Sequence, residues 1–501
     1  MSIFMNNQNG VPVHPRPEIR YPEPVSSEAI RNIFDRCADF QYRYISAGLI
    51  SEQRLFVCWI DGLCDGNAIS EEIIKPLTEI LRTGNSPTPE RLLSGAVYSS
   101  QANERSSLDE LISDITQGCC LVIFDGLKAA VSFEVRTRNQ RSISEPMTEK
   151  SIKGGKDCFV ELLRTNTSLV RRRIRDPALK LVNTVVGRKS LTSCAVMFID
   201  GVADPKTVSE LMHRLDAIDI DGALSTGVLE TYIVDRPRSI FPQLLHTERP
   251  DRLSQQLLAG RVALFVDGLP MAFILPVSFA EFLRVPQDVS QNFLVASTLS
   301  VIRWAAVAIA LCLPAFYVAV AMYHQEMVPT KLLISIITSK QDVPFSTAVE
   351  VVGMLLAFEL LQEAGLRLPN PISDTVSIIG ALIVGQSAVE AKVISPIAVI
   401  VVALAGIAGY AQPSQDMSAA LRLMRFVLVA AAILLGLFGV TAVLCLLLWY
   451  LCGIESYGVS YTSPLSDGRR GSMFAALFRR HIPSDKLRDP DLNTPDKRRQ
   501  A

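Results

Sequence analysis

Residues 56–63 read FVCWIDGL, and the same outline returns as LVIFDGL at 121–127, AVMFIDG at 195–201 and ALFVDGL at 263–269. Each is an apolar run closed by Asp-Gly, the pattern of a buried strand ending in a tight turn. Glycine adopts positive φ there at little cost, and the aspartate can bond nearby backbone N–H groups. The order repeats with the motif: Asp61 and Asp200 lie 139 residues apart, and Asp125 and Asp267 lie 142 apart. Helix-like segments follow the first and third copies, SEEIIKPLTEILRTG at 70–84 and TVSELMHRLDAID at 207–219. The expectation is an α/β region of two similar subdomains produced by internal duplication. Four copies at matching places favour turn chemistry, since the His and Glu that a metal site would need are not nearby.

The chain of 501 residues carries 49 Lys plus Arg against 50 Asp plus Glu. That balance argues against a dedicated nucleic-acid binder, which carries a broad basic excess. Mean hydropathy is +0.28, high for a soluble protein. The composition is split: residues 1 to about 290 mix charged and apolar residues, 297–453 hold long apolar runs, and the last fifty turn basic. The start, MSIFMNNQNGVPVHPRPEIRYPEPV, has no charged n-region followed by an apolar stretch, so it reads as a Pro-rich lead-in and the soluble half is expected in the cytosol. The ten cysteines are scattered without CxxC or CxxH spacing, which reads as reduced thiols used as small apolar residues.

Between the two halves of the duplication runs RNQRSISEPMTEKSIKGGKDCFVELLRTNTSLVRRRIRDP, residues 138–177. KGGK lacks the GxxxxGK[ST] spacing of a phosphate loop. Asp157 reads as an N-cap, with Phe159, Leu162, Leu163, Leu169, Val170 and Ile174 at roughly helical spacing and Asp176-Pro177 as the stop. The arginines fall mainly on the other face. Arg171, Arg172 and Arg173 are candidates for a contact to a neighbouring subunit or to anionic lipid, with a solvated face paired to the subdomain's own acids as the alternative.

Residues 297–323 are long enough to span a hydrocarbon core of about 30 Å, with Arg303 near the start able to reach the cytosolic surface. The stretch 329–371 is apolar but holds Lys340, Asp342, Glu350, Glu359 and Glu363 and is broken by Pro344. Ionisable groups at membrane depth are costly and mark function, so Glu350 and Glu359 are the sharper candidates, Lys340 and Asp342 reading as a polar turn. In 375–411, Gly380 and Gly385 permit close helix contact, while Glu390 and Lys392 precede Ser395-Pro396 and suggest two broken helices. Residues 426–453 form the cleanest span, and four crossings plus re-entrant segments would leave both termini in the cytosol.

Three stretches carry a family resemblance: ISEPMTEKSIKGGKDCFVELLRTNTSLVRRRIRDPALKL at 143–181, VPFSTAVEVVGMLLAFELLQEAGLRLPNPI at 343–372 and SIIGALIVGQSAVEAKVISPIAVIVVAL at 377–404. They resemble the GerA family, the A subunits of spore germinant receptors, and the likeness runs in order from about 40 to 460. This chain has Pro344-Phe345-Ser346 where the family commonly has Pro-Phe-Pro, Gln362 where it often has Arg, and Lys392 where it often has Gly. The resemblance implies a multi-pass protein of the spore inner membrane that transduces germinant binding into ion release. It also implies a transporter-like B subunit, a lipoprotein C subunit and self-association into a ring forming a ligand-gated cation channel. No cofactor, metal or nucleic acid is implied.

The expected layout is a lead-in (1–45), a first subdomain (46–142), a connecting loop and basic helix (143–190) and a second subdomain (191–290). An all-α membrane domain (291–455) and a basic cytosolic tail (456–501) follow. A secondary transporter is the alternative that broken helices suit, although the internal repeat lies in the soluble half. A non-conducting signalling scaffold is the other. For an enzyme the five histidines are far apart, and neither a nucleophile elbow nor a phosphate loop is present.

Overall fold

The computed structural model describes residues 20–46, 54–83, 87–97, 101–137, 146, 149, 153–223, 225–367, 385–465, 477–479 and 481–500. It forms two compact units, Met1–Ser142 with Arg164–Val182, and Ile143–Leu163 with Asn183–Ala501.

The first unit opens with helix α1 (Ser27–Ile33), whose N-terminus is capped by the Ser26 hydroxyl. A five-stranded sheet follows, built from β1 (Phe40–Ser46), β2 (Arg54–Ile60), β3 (Ala102–Arg105), β4 (Cys119–Phe124) and β5 (Ala129–Glu134) in the order β1-β2-β4-β5-β3. The lead-in is therefore shorter than the sequence suggested, because Ile30 and Phe34 bury against the sheet ahead of residue 46. One sheet face, with Phe56, Cys58, Ile60, Leu121 and Ile123, packs on α1 and on the helix Leu108–Thr116. The other face, with Val57, Val122, Val131 and Phe133, packs on Ile69, Ile73, Leu77 and Leu81 of the helical stretch that ends in Lys75–Arg82. Burial on both faces explains why the strands read as unbroken apolar runs.

A second five-stranded sheet repeats this topology, its first strand beginning in the last residues of the first unit and the rest lying in the second. Strands β6 (Leu179–Val186), β7 (Thr192–Ile199), β8 (Leu245–Thr247), β9 (Val262–Val266) and β10 (Ala272–Leu275) run in the order β6-β7-β9-β10-β8. Position for position this is the order of the first sheet, so the duplication extends to strand pairing. The paired strands whose register is resolved, such as β2 with β4 and β7 with β9, are antiparallel.

Three of the four Asp-Gly turns have the expected positive φ, at Gly62 (86°), Gly201 (75°) and Gly268 (84°). In the remaining turn the left-handed residue is Lys128 (51°). The aspartates also hold distant chain: Asp125 accepts from the Ser27 N–H (2.6 Å) and hydroxyl (2.7 Å), Asp61 pairs with Arg164, and Asp267 accepts from the Leu163 N–H (3.1 Å).

Those contacts correct the connector. The basic helix α2 runs Leu163–Arg173 and does not begin at Asp157. Residues 157–162 stay extended because the Phe159 N–H donates to the Glu248 carbonyl (2.8 Å) and the Glu161 carbonyl accepts from Gly268 (2.8 Å). The helix belongs to the first unit. Arg171 is 1 % exposed and donates to both carboxylate oxygens of Asp39, at 2.7 and 2.9 Å. A buried side chain cannot meet lipid or another subunit, so that expectation is corrected for Arg171, whereas Arg172 and Arg173 are exposed.

Where the second sheet gives way to the helices, Glu281 is 3 % exposed in a short 3-10 turn, Phe279–Leu283, buried throughout. Burial would raise its pKa, but the guanidiniums of Arg261, Arg284 and Arg252 outweigh it and hold the carboxyl at about 2. Residues 276–283 are thus part of a packed core. Helix α3 (Phe293–Tyr323) follows, and Arg303 pairs bidentately with Asp288, at 2.7 and 2.6 Å.

Further on come α4 (Thr330–Lys340), α5 (Thr347–Arg367), α6 (Pro396–Tyr410) and α7 (Gln415–Cys452). Among the described residues α3 and α7 are the two helices long and apolar enough to cross a bilayer. Helix α7 is not one straight rod. Its 38 residues would extend about 57 Å. Yet the Tyr450 ring centroid lies 6.4 Å from that of Phe241 while Asp416 lies 3.6 Å from His246, and five residues of chain reach at most about 18 Å. The helix folds back at Gly436 (φ 61°, ψ −143°), a conformation essentially reserved for glycine. A Cβ at Gly439 would sit 2.3 Å from the Ala431 carbonyl, eight residues earlier, as only a hairpin allows.

After α7 the chain pairs β11 (Glu455–Ser456) with β12 (Val459–Ser460) and returns to the second sheet. The tail docks on it too: Arg488 donates to the Leu258 carbonyl (3.0 Å), the Asp496 backbone N–H to that of Gly201 (3.2 Å), and Thr494 covers Gly260.

Two outcomes follow. Asp39→Ala, which strands a buried guanidinium, should cost about 3–5 kcal/mol in denaturant unfolding of the solubilised chain, against about 0.5 kcal/mol or less for Arg172→Ala. Because the Glu281 pKa is lowered from 4.5 to about 2 in the folded state, its contribution of about 3 kcal/mol is present above pH 4.5 and lost as pH falls towards 2. Glu281→Gln should remove that part of the acid dependence in thermal melts recorded across this window.

Candidate functional site

The helical part of the second unit keeps its ionisable groups in pairs. Lys340 ends α4, residues 341–346 break the chain around Pro344, and α5 starts at Thr347. Three turns of sequence logic converge here. Pro344 cannot continue the first helix, Thr347 opens the next, and Glu350 falls in its first turn, where a carboxylate suits the helix dipole. The Glu350 side chain is wholly buried, with the Lys340 ammonium 3.3 Å from Oε1. Its Oε2 accepts from the backbone N–H of Ser395 at 2.8 Å. Lys340 also donates to the Thr347 hydroxyl.

Ser395 caps α6 and Pro396 is its first residue, preorganised for a helix start. Glu350 therefore sits on the positive end of α6 and joins three helices through one carboxylate. The pairing with Lys340 is an ion pair without hydrogen-bond geometry at Oε1. Such an arrangement is stable only with the carboxylate charged and the ammonium in place, since removing either partner leaves a lone charge in an apolar bundle.

A second cluster lies further along α5. Glu359 accepts from Arg422 (3.0 Å) and lies 3.5 Å from Arg425, both on the first leg of α7, and Arg422 also donates to the side-chain amide oxygen of Gln362. Arg425 is 4 % exposed, and the Nε groups of Arg422 and Arg425 are buried without hydrogen-bond partners. Gln362 thus serves as a neutral acceptor where an arginine would add a third cation. Nearer the surface, Lys392 pairs with Asp342 (2.6 Å) and Gln386 donates to Glu390 (2.9 Å).

Of the residues singled out from sequence, Glu350, Pro344 and Pro396 meet at one junction. Glu359 belongs to the separate arginine cluster, and Glu390 is exposed beside the break at 391–395. Gly385 packs on Val399, where a Cβ would sit at 3.4 Å, and Gly380 lies outside the described residues. Sequence reasoning missed the cationic partners. Lys340 reads from sequence as part of a polar turn, yet it pairs with Glu350, and Arg422 and Arg425 pair with Glu359. Their spacing of three on an otherwise apolar helix was the available signal.

The cysteines of the two sheets are not reactive. Burial pushes the Cys64 and Cys194 thiols up to about 12, leaving them unreactive apolar fillers. Among the described residues no three His, Cys, Asp or Glu side chains gather to hold a metal ion.

The pattern that defines the Bacillus/Clostridium GerA spore germination protein family matches residues 28–490. The chain belongs to the GerA family. Within it, the chain is 37% identical over 464 residues to spore germination protein KA of Bacillus subtilis, covering 93% of this chain and 85% of that protein. It is 35% identical to spore germination protein B1 of the same organism, over 83% of this chain and 86% of that one. A crystal structure of the N-terminal domain of the A subunit of the Bacillus megaterium spore germinant receptor GerK3 aligns with a TM-score of 0.40 at 30% identity, covering 50% of this chain and 93% of that domain. The ion pairs described above are thus features of a GerA-family helical region.

A double-variant cycle tests the junction. Lys340→Met alone should lower the thermal stability of the solubilised chain by about 3–5 kcal/mol, while Lys340→Met with Glu350→Leu should recover most of it, and a fully additive pair would show that the two side chains do not interact.

Proposed function

We propose that this chain is the A subunit of a nutrient germinant receptor in the spore inner membrane, converting germinant binding into ion release as an oligomeric, ligand-gated cation channel. Support for the receptor assignment comes from the family match and from relatives named as spore germination proteins. Support for conduction comes from the helical bundle: buried Glu350 at a break between helices is the observation that carries it.

On this reading α3 and the two legs of α7 cross the bilayer, α5 crosses with them because its Glu350 and Glu359 are paired inside the bundle, and α6, with its capped N-terminus against Glu350, penetrates partway. Irregular backbone at such depth is tolerated only against protein or a water-filled cavity, and a helix N-terminus there suits an anionic group. Both soluble sheets and the tail would face the cytosol. Partners are a transporter-like B subunit, a lipoprotein C subunit and further copies of this chain in a ring. Germinant binding would favour one helix arrangement over another, and the Glu350 and Glu359 pairs would be remade in the shift.

The reading is tested by co-reconstituting the receptor subunits in liposomes loaded with a potassium-sensitive dye. Germinant should raise cation flux at least tenfold, and Glu350→Gln should change that flux while the subunits still assemble. Tight germinant binding with no flux would leave a non-conducting signalling scaffold. Uptake of labelled germinant by this chain alone would instead indicate a secondary transporter.

A further inference from the structure

The two ends of α7 are held by the second sheet in chemically different ways. At the C-terminal end, Tyr457 donates its N–H to Asp235 (2.7 Å) and its hydroxyl to the Ile233 carbonyl (2.7 Å), with the Arg214 guanidinium 4.5 Å from its ring centroid. Tyr461 is fully buried and donates to the Pro242 carbonyl (2.8 Å), and Ser456 accepts from the Val277 N–H (3.2 Å). Burial pushes both phenols up, so nothing at this end titrates near neutrality.

At the N-terminal end, an imidazole of the second sheet faces the helix. His246 on β8 places Nε2 2.9 Å from Glu230, on the helix Thr226–Ile233, and 3.6 Å from Asp416 in the first turn of α7. Phe273 of β10 meets its ring edge-on at 5.1 Å, and Nδ1 is buried without a hydrogen-bond partner. The largest charges acting on it are carboxylates: Glu230, Asp416 and, at longer range, Glu149, itself held by Arg252. We infer that His246 is a proton-operated latch between the second sheet and the first turn of α7, closed when the imidazolium bridges Glu230 and Asp416 and loosened when the ring is neutral.

The direction is fixed by the surroundings. Burial pulls the imidazole pKa down, but the Glu230 hydrogen bond and charge, then Asp416 and Glu149, pull it further up, so the net shift is upward from 6.5. A group raised on folding contributes fully below its ordinary value and loses that contribution as pH rises through the folded value. The latch therefore holds below the ordinary value of 6.5 and slackens as pH rises through the raised folded value, while the tyrosine end is unaffected. Asp416 and Glu230 are partly exposed (58% and 33%), which keeps the effect modest. The first leg of α7 also carries Arg422 and Arg425, so loosening its foot would bear directly on the Glu359 cluster. The inference rests on contacts within one unit and stands whether or not the chain conducts ions.

Hydrogen exchange of the full-length chain in nanodiscs, corrected for intrinsic rates, tests it between pH 6.0 and 8.5. Amides of 414–418 should exchange about three- to fivefold faster at the upper end, with 455–461 unchanged. His246→Gln should abolish the difference. Asp416→Asn, at an exposed side chain that folding does not require, should at least halve it and serves if the histidine variant fails to fold. A wild-type profile flat in pH, a response shared equally by 455–461, or an undiminished response in Asp416→Asn would overturn the latch.

Discussion

A helix of 38 residues whose ends touch positions five residues apart has to turn back on itself, and the rest of the helical region is arranged around that reversal. Gly436 supplies the backbone conformation, and Tyr323 at the end of α3 closes over it, its ring 3.2 Å from where a Cβ would be and its hydroxyl bonded to the Ile433 carbonyl. The end of α3 and the tip of the hairpin are thereby joined at one end of the bundle. Both feet of the hairpin return to the second sheet at the other. The sheet, the hairpin and the tail form one unit for that reason.

Inside the bundle the governing cost is desolvation. A lone charge in an apolar interior is far more expensive than a pair, so Glu350 is found with Lys340 and the α6 N-terminus, and Glu359 with Arg422 and Arg425. These contacts link helices far apart in sequence. A bundle held by a few such pairs can exchange one arrangement for another by breaking and remaking them, whereas an evenly packed apolar core resists such a shift. The soluble sheets use the same economy differently: Arg171–Asp39 fixes the connector helix to the first sheet, and Glu281 gathers three arginines beneath the second.

Much of the soluble fold was legible because strand signals are local. FVCWIDGL and its three counterparts mark β2, β4, β7 and β9, and their nearly equal spacing announced the duplication that identical strand order makes explicit. Helical periodicity also placed the stop before Pro177. The start of that helix was not legible, since residues 157–162 are held extended by Glu248 and Gly268, more than eighty positions away. Burial of Arg171 was hidden for the same reason: its partner Asp39 is 132 residues distant, and a three-arginine run reads as surface. In the helical region composition announced the acids Glu350 and Glu359 but not the cations that neutralise them.

The sequence by itself determined the division into duplicated sheets and apolar helices, the Asp-Gly turns, the breaks at Pro344 and Pro396, and membership of the GerA family, because each depends on neighbouring residues or on patterns kept along the chain. Only the tertiary structure decided that α7 reverses, that the tail folds back onto the second sheet, and which charge meets which. Reversal at Gly436 depends on what both helix ends bind, and a glycine within an apolar run permits a turn without requiring one. An ion pair is a relation between distant positions, and its energy exists only once the fold has excluded water from both partners.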